Sequence, residues 1–443
     1  MKKAAISIVH PHAAGIDVGS THFYVDAGEE TFRVFTTFTE DCNSIKNYLL
    51  SQGITSVAME STGVYWVILY DVLEEAGIEV FLVNGRETRN LPGRKSDAED
   101  CQWIRQLHSF GLLRKSFIPN GDTRKLRSYL RIRQDHIRST ATQVHLMQKA
   151  FTQMNIRLTE QINDITGASG LKIIKAILNG ERNAEVLTAL CHSTILKTKK
   201  DSVIKSLEGH YSEEHLFALR QSFDTWNFYN KLILECDKEV EKLLKEMTKG
   251  KDDIKVDGPR KPIRYHAPAI ENLHQPLLKL TNGKDPIGIA GITDYSFLQL
   301  VSEVGTDMTP WATEKHFASW LKISPLKASS GKMSRKVVMK RHNKAGQIFR
   351  NLAQGILTSK HLALGVFGRR IRSRRGPSVA IKAVARKIAC YYYRVMKHGT
   401  EFVEKGIQAY EMQQNKQHKK YLEKMAIKFN LQLVPIEGEK FCP

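Results

Sequence analysis

From Lys315 to Thr400 there is no aspartate and no glutamate in 86 residues, which hold 21 lysines and arginines. The rest of the chain carries 46 basic and 46 acidic side chains, so the formal net charge of +21 belongs to this one segment. A charge serving general solubility would be spread out, and explains such a block poorly. A concentrated basic segment beside a neutral remainder points to a polyanion, either nucleic acid or an anionic membrane surface. Cysteine is also scarce. Six are scattered at Cys42, Cys101, Cys191, Cys236, Cys390 and Cys442, with no C-x-x-C pair. Neither a zinc site nor a disulfide framework is indicated, and a reducing cytoplasm fits best. No run approaches the ~20 apolar residues of a membrane span. At the N-terminus His10, Pro11 and His12 interrupt a short apolar run, so no signal peptide is expected. Hydrophobic content of 42% is ordinary and argues against wholesale disorder. The length suggests about two to four domains.

What is present changes character along the chain. Residues 14–40 alternate β-branched and aromatic residues around an Ala-Gly-Glu-Glu turn and read as hairpin strands. A helix follows near Asp41–Gln52. SVAMES (56–61) reads as a buried strand, 61–77 as a helix ending at Gly77, and IEVFLVN (78–84) as another strand. Ser96–Phe110 looks helical, with Ser96 as its N-cap. This order predicts an α/β domain over 1–120. From Thr123 to Ile162 one long helix is expected, with Leu130, Ile137, Val144, Phe151 and Leu158 spaced by seven. Trp226, Ile233, Val240 and Met247 repeat the spacing, with Tyr229, Cys236 and Leu243 between them. The heptads suggest a coiled-coil hairpin or a dimer seam; packing within a small bundle accounts for them equally well. Residues 121–248 are thus a helical spacer. Residues 249–286, rich in Lys, Asp, Gly and Pro, read as a linker or insert. The basic block is mostly helical and closes a domain of 287–400. The 401–443 tail is polar and peripheral.

Four acids carry chemistry. Asp17 lies in a strand, Glu60 ends a second, and Asp97 and Asp100 share one face of a predicted helix. Carboxylates from separate elements of one α/β domain are what a two-Mg²⁺ phosphodiester site needs, since hard oxygen ligands hold the ions that clamp attacking and leaving oxygens. Taken singly, Asp97 reads rather as a helix-start acid and Asp100 as a solvated partner of Arg94 or Lys95. Glu60 resists that bland account, because a carboxylate ending an apolar strand is costly without a partner. GIDVGST also resembles the first phosphate loop of actin-like and sugar-kinase ATPases. Their second phosphate hairpin and adenosine glycine pair are not found.

With these acids and the C-terminal block, the chain resembles the DEDD transposases of the insertion sequence 110 family, the bridge-RNA-guided recombinases. The motifs are G-I-D at Gly15–Asp17, E-S-T-G at Glu60–Gly63 and K-x-D-x-x-D at Lys95–Asp100. Near the C-terminus, Ala290-Gly291-Ile292-Thr293 stands where the family has P-G-I-G. FASWLKI, SPLKA, Ser330-Gly331 and K-A-G at Lys344–Gly346 follow. The resemblance implies an N-terminal ribonuclease-H-like (RuvC-like) domain with Asp17, Glu60, Asp97 and Asp100 as metal ligands. It implies an α-helical coiled-coil region, then a mostly α-helical transposase domain whose nucleophile is Ser330. Ser329 is adjacent and is the first rival.

The resemblance further implies two Mg²⁺ ions, double-stranded donor and target DNA, and a guide RNA from the element's own ends. It implies a site composed from two subunits, hence a homo-oligomer from dimer to tetramer, and a bacterial, nucleoid-associated location without membrane. Ser330 would attack a DNA phosphate and form a phosphoserine. Phosphate contacts are expected from Lys332, Arg335, Lys336, Lys340, Arg341, Lys344, Arg369, Arg370, Arg372, Arg374 and Arg375, giving salt-dependent affinity without sequence reading. No zinc finger or RNA-recognition motif is present. Tyr391, Tyr392 and Tyr393 could stack on bases, although core packing suits at least one. The nearest alternative is a RuvC-like structure-specific endonuclease that uses water; a kinase-like ATPase is the more distant one.

Overall fold

The computed structural model describes residues 7–29, 31–85, 97–255, 261–263, 265–324, 327–330, 333–336, 343–359, 362–399 and 401–434. They fall into two compact units, Met1–Ile118 and Pro119–Pro443.

In the first unit, β1 (Ala13–Val18), β2 (His22–Asp26) and β3 (Arg33–Thr36) form an antiparallel meander. Then come α1 (Thr39–Ser51), β4 (Ser56–Glu60), α2 (Trp66–Glu75), β5 (Glu79–Val83) and α3 (Asp97–Ser109). β4 pairs parallel with both β1 and β5, so the sheet order is β3-β2-β1-β4-β5. β4 is buried at every position, as a central strand covered on both faces should be. Ile16, Val57, Met59 and Leu82 pack on the α1–α2 side with Leu49, Leu69 and Leu73. Gly77, at φ +79°, ends α2, where its N–H donates to the Glu74 carbonyl and that of Ile78 to Leu73.

The opposite face carries α3, with Ile104 against Ala58 and Val83. Helix and sheet approach very closely here. A Cβ on Gly15 would lie 2.2 Å from the Cys101 carbonyl oxygen and 2.4 Å from the Arg105 nitrogen, so only glycine lets the helix backbone rest on β1. At the other end of α3, His108 Nε2 shares a hydrogen bond with the Ser56 hydroxyl. Burial first, and the neighbouring His10 second, push His108 down to about 4, so the imidazole is a neutral core group.

The second unit is helical. α4 (Gly121–Gln153) starts where the Asn120 side chain accepts from the Thr123 N–H. Four short helices follow: α5 (Leu158–Gln161), α6 (Ala168–Leu178), α7 (Ala184–Ala189) and α8 (Ser193–Leu207). They pack around Phe151, Ile173, Ile177, Val203 and Phe223. α9 (Glu213–Met247) returns antiparallel along α4. Arg133 reaches Asp237, His136 lies beside Tyr229, and Phe151 shares a core with Leu219. The two heptad segments therefore pair with each other inside one chain. The long helix expected to Ile162 stops at Gln153, because Asn155 turns the chain at φ 55°; Leu158 belongs to α5.

Residues 249–286 hold more structure than a linker. α10 (His274–Leu280) buries His274, Leu277 and Leu278, and the backbone carbonyl of His266 accepts from Arg133. α11 (Asp294–Val304) begins with a Thr293/Ser296 capping box. α12 (Glu314–Trp320) leads to a two-stranded hairpin, β6 (Lys327–Ser330) and β7 (Met333–Lys336). The basic block reads from its sequence as mostly helical, with no strand expected in it. Lys-Ala-Ser-Ser and Met-Ser-Arg-Lys lack the β-branched and aromatic residues that announce a strand. α13 (Lys344–Thr358), α14 (Ala363–Arg375), α15 (Pro377–His398) and α16 (Glu401–Lys428) complete the unit. Its aromatic core joins Trp311, Phe317, Trp320, Phe349, Tyr392 and Tyr393. Tyr392 is fully buried, and Tyr393 is buried with its hydroxyl donating to the Trp311 carbonyl, so neither is available to stack on a base.

Candidate catalytic site

Asp17 and Glu60 come from neighbouring parallel strands. Ile16 pairs with Met59, so the two acids are the next register positions of β1 and β4 and share the face that carries α3. Glu60 is buried and its Oε1 accepts from Thr62 Oγ1 at 3.5 Å. A Cβ at Gly85 would lie 2.1 Å from Glu60 Oε1, so the missing side chain of Gly85 makes the room for this carboxylate. Asp17 is half-buried at the sheet surface.

α3 runs antiparallel to β1 and β4. Its His108 meets Ser56 at the start of β4, and Cys101 and Arg105 sit on Gly15. Its first turn, Asp97 to Asp100, therefore stands at the carboxyl ends of β1 and β4, beside Asp17 and Glu60. Asp100 is half-buried; the Asp97 side chain lies outside the described residues. Burial, followed by the charge of Asp26, pushes the Cys101 thiol up to about 12. Among the described residues, no three His, Cys, Asp or Glu side chains form a group that could hold a metal ion. Two oxygen donors, Asp17 and Glu60, stand in register on that face, with Asp100 on the covering helix.

Residues outside the sequence motifs hold this arrangement. Asp26, almost fully buried, accepts from Arg105 Nε at 2.7 Å and from the Gly28 N–H at 2.9 Å. The Asp26–Arg105 pair anchors α3 to the sheet, and with it the turn bearing Asp97 and Asp100. Nothing in the local sequence distinguishes Asp26 from a hairpin acid. Gly85, in V-N-G-R, was the one legible signal, as a glycine directly after a buried strand.

Ser330, in the second unit, is the last residue of β6, its Cα paired with Met333; Ser329 pairs with Ser334. Gly331 lies outside the described residues. After the hairpin, the Asn343 side chain accepts from the Gly346 N–H at 3.1 Å and donates to the Trp320 carbonyl at 3.2 Å. A Cβ at Gly346 would be 2.1 Å from the Leu321 carbonyl oxygen, so the K-A-G glycine lets α13 close onto the end of α12. These contacts hold both ends of the segment carrying Ser330.

The expected phosphate-binding residues separate into groups. Lys332, Lys340 and Arg341 lie outside the described residues, and Arg335 and Lys336 are described as β7 backbone. Lys344 is exposed at the start of α13. Arg369 donates to the carbonyls of Leu357 and Ser359 and ties α14 to the end of α13. Arg370 is exposed with Nη2 2.7 Å from His418 Nε2, and Arg372, Arg374 and Arg375 are exposed in the last turn of α14. Arg350 was not singled out by sequence, since it reads as one cation among many. Its Nε donates to Gln347 at 3.1 Å, while both buried terminal nitrogens have no partner among the described residues.

A mixed five-stranded sheet of this order, with Asp17 on β1 and Glu60 on the adjacent β4, is consistent with a ribonuclease-H-like domain. Two family models match the chain. That for DEDD transposases of the IS110 type, described as transposase, covers residues 14–156. That for the transposase IS116/IS110/IS902 family covers residues 288–354. The chain belongs to the IS110 family of transposases. It is a DNA-cleaving and strand-transferring enzyme of transposition. All four acids fall within the first match, and Ser330 within the second. No curated protein matches the chain. Among the described residues, no helix is long and apolar enough to cross a membrane.

Proposed function

We propose that this transposase cuts DNA with Ser330 and holds the cut strand as a phosphoserine until it is rejoined to a new partner. The observation that carries the reading is the register of Asp17 beside Glu60 under the first turn of α3. Asp17, Glu60, Asp97 and Asp100 would hold two magnesium ions. When bound, such ions supply Lewis-acid polarisation of the scissile phosphate. The residues themselves do the rest. Ser330 Oγ attacks phosphorus, the phosphorus–O3′ bond breaks, and a 3′-hydroxyl leaves. The serine proton passes to solvent and the departing oxygen takes one up. The phosphoester keeps the bond energy, so a second 3′-hydroxyl restores the diester by the reverse step without ATP.

Lys344, Arg370, Arg372, Arg374 and Arg375, with other exposed cations of the block, supply phosphate affinity. Such contacts position DNA without reading its sequence. A guide RNA pairing with donor and target supplies the sequence choice in this proposal. The composite site implied by the resemblance, acids from one subunit and serine from another, makes a dimer to tetramer part of the same reading.

The test is a covalent trap. Purified protein is mixed with end-labelled element-junction DNA and co-purified RNA in magnesium, then denatured. The wild type carries label through the gel, and Ser330→Ala abolishes it. Persistence of the adduct in Ser330→Ala moves the nucleophile to Ser329. Free 5′-phosphates with no adduct in the wild type replace the reading by hydrolytic cleavage.

A further inference from the structure

The tail beyond residue 400 lies outside both matched segments, yet it is built onto the basic unit. α14 and α15 join at Gly376 (φ +82°), and Gly399 (φ +93°) precedes α16, which packs against α15. Arg370 on α14 meets His418 on α16 at 2.7 Å, and Ala426 is buried. His418 and Met425 are seven residues apart and share the inner side of α16. On the outer side stand Lys416, Lys420, Lys424 and Lys428, all exposed and each four residues from the next. Positions so related are neighbours on a helix, about 5–6 Å apart. Four like charges in one ridge repel one another, and Glu423 is the one acid between residues 412 and 434. Tyr421, 60% exposed, flanks the ridge one turn before Lys424 and two before Lys428. The exposed arginines Arg372, Arg374 and Arg375 follow on α14 directly after Arg370, which meets His418.

We infer that the outer face of α16 is a binding surface for single-stranded nucleic acid. The ammonium groups of Lys416, Lys420, Lys424 and Lys428 follow successive phosphates, and Tyr421 offers a ring on which an unpaired base stacks. A lysine ridge alone would take any polyanion. The exposed aromatic at its edge favours a strand whose bases are free, because bases inside a duplex are already stacked. The inference rests on the nucleic-acid substrate of the transposase family; it names a partner for a segment that the catalytic proposal does not use.

The experiment uses the full chain and unstructured 20-mers of DNA and of RNA, with a 20-base-pair duplex alongside. Binding is followed by fluorescence anisotropy at several salt concentrations. Replacing all four lysines by glutamine is expected to weaken single-strand binding at least tenfold near physiological salt. It should also lower the salt slope by about 0.7 per lysine, roughly 3 in all. Tyr421→Ala is expected to weaken single-strand binding several-fold without changing the slope. The fourfold Lys→Arg variant should retain both, and far-ultraviolet circular dichroism should show full helix content in each variant. A larger loss for RNA than for DNA identifies an RNA strand as the occupant; the reverse identifies a DNA strand. An unchanged slope and affinity on both 20-mers in the glutamine variant, or a duplex loss as large as theirs, overturns the inference. The readout is equilibrium binding and not the Ser330 adduct, so failure of the catalytic proposal leaves this test standing.

Discussion

His274 stands between two carboxylates. Its Nδ1 is 2.8 Å from Asp294 and its Nε2 is 3.2 Å from Asp285, with the ring almost fully buried. Burial disfavours the charged ring, but the hydrogen bonds and charges of Asp285 and Asp294 outweigh it and raise His274 to about 9. Asp285 is held below the usual carboxylate range: burial opposes this, and the His274 hydrogen bond and charge overcome it. A histidine raised from 6.5 to about 9 contributes its full stability below pH 6.5 and loses it as pH climbs through 9. The loss is on the order of 3 kcal/mol. Urea midpoints measured from pH 6.5 to 9.5 should fall in the wild type. His274→Gln should be less stable at pH 6.5 and nearly flat across that window. A wild-type midpoint constant from 6.5 to 9 would mean that the ring is neutral in the native state. The clamp joins α10 to both flanks of the Ala290–Thr293 turn. Sequence reading placed His274 in an insert, because partners at 285 and 294 become visible only once α10 folds against them.

At the scale of elements, the α4–α9 hairpin turns on Arg133. Its guanidinium is almost fully buried, bonds to Asp237 at 2.6 Å and to the Tyr295 hydroxyl at 2.9 Å, and donates to the His266 carbonyl at 3.1 Å. Such a pair is expensive to desolvate, and removing one partner leaves the other charge stranded. Arg133→Met and Asp237→Leu should each cost about 3–5 kcal/mol in chemical denaturation. The double variant should cost clearly less than the sum, a coupling that a double-mutant cycle reads directly. Strict additivity would show that the pair does not act as a unit. The heptads made both helices legible, because a seven-residue repeat is a local property. Their partner was not legible. An apolar stripe faces another stripe equally well within one chain or between two, and the Arg133–Asp237 pair, 104 residues apart in the chain, selects the first. The β6–β7 hairpin was hidden for a different reason. Its pairing is made across two short polar segments, whose composition carries no strand signal.

Across the whole molecule, the cations of the acid-free block do not act alike. Arg372, Arg374 and Arg375 are exposed, whereas Arg369 is spent on the carbonyls of Leu357 and Ser359 and Arg394 on Glu314, with Nη2 2.9 Å from Oε1. Replacing Arg372, Arg374 and Arg375 by glutamine should lower the salt slope of duplex binding by about 0.9 for each phosphate that is no longer neutralised. Arg369→Gln should instead lower the melting temperature and leave that slope almost unchanged. Binding isotherms at three salt concentrations, with a thermal melt of each variant, check both outcomes. If Arg369→Gln reduces the slope as much as the exposed arginines do, its ties to α13 are incidental.

The amino-acid order by itself determined the mixed α/β first unit, the four candidate acids and the single basic block, because these depend on short-range pattern and on counting charge. The tertiary structure decided what pattern cannot encode. Strand register set Asp17 beside Glu60, and Gly15 and Asp26 with Arg105 brought α3 across the sheet. Packing drew Tyr392 and Tyr393 into the core and paired the heptads within one chain. Each outcome depends on which distant surfaces fit together, and that is a property of the folded chain rather than of any one segment. The charge arithmetic separated the basic block from a neutral remainder; only the folded helices distinguish the arginines that hold the protein together from those left facing solvent.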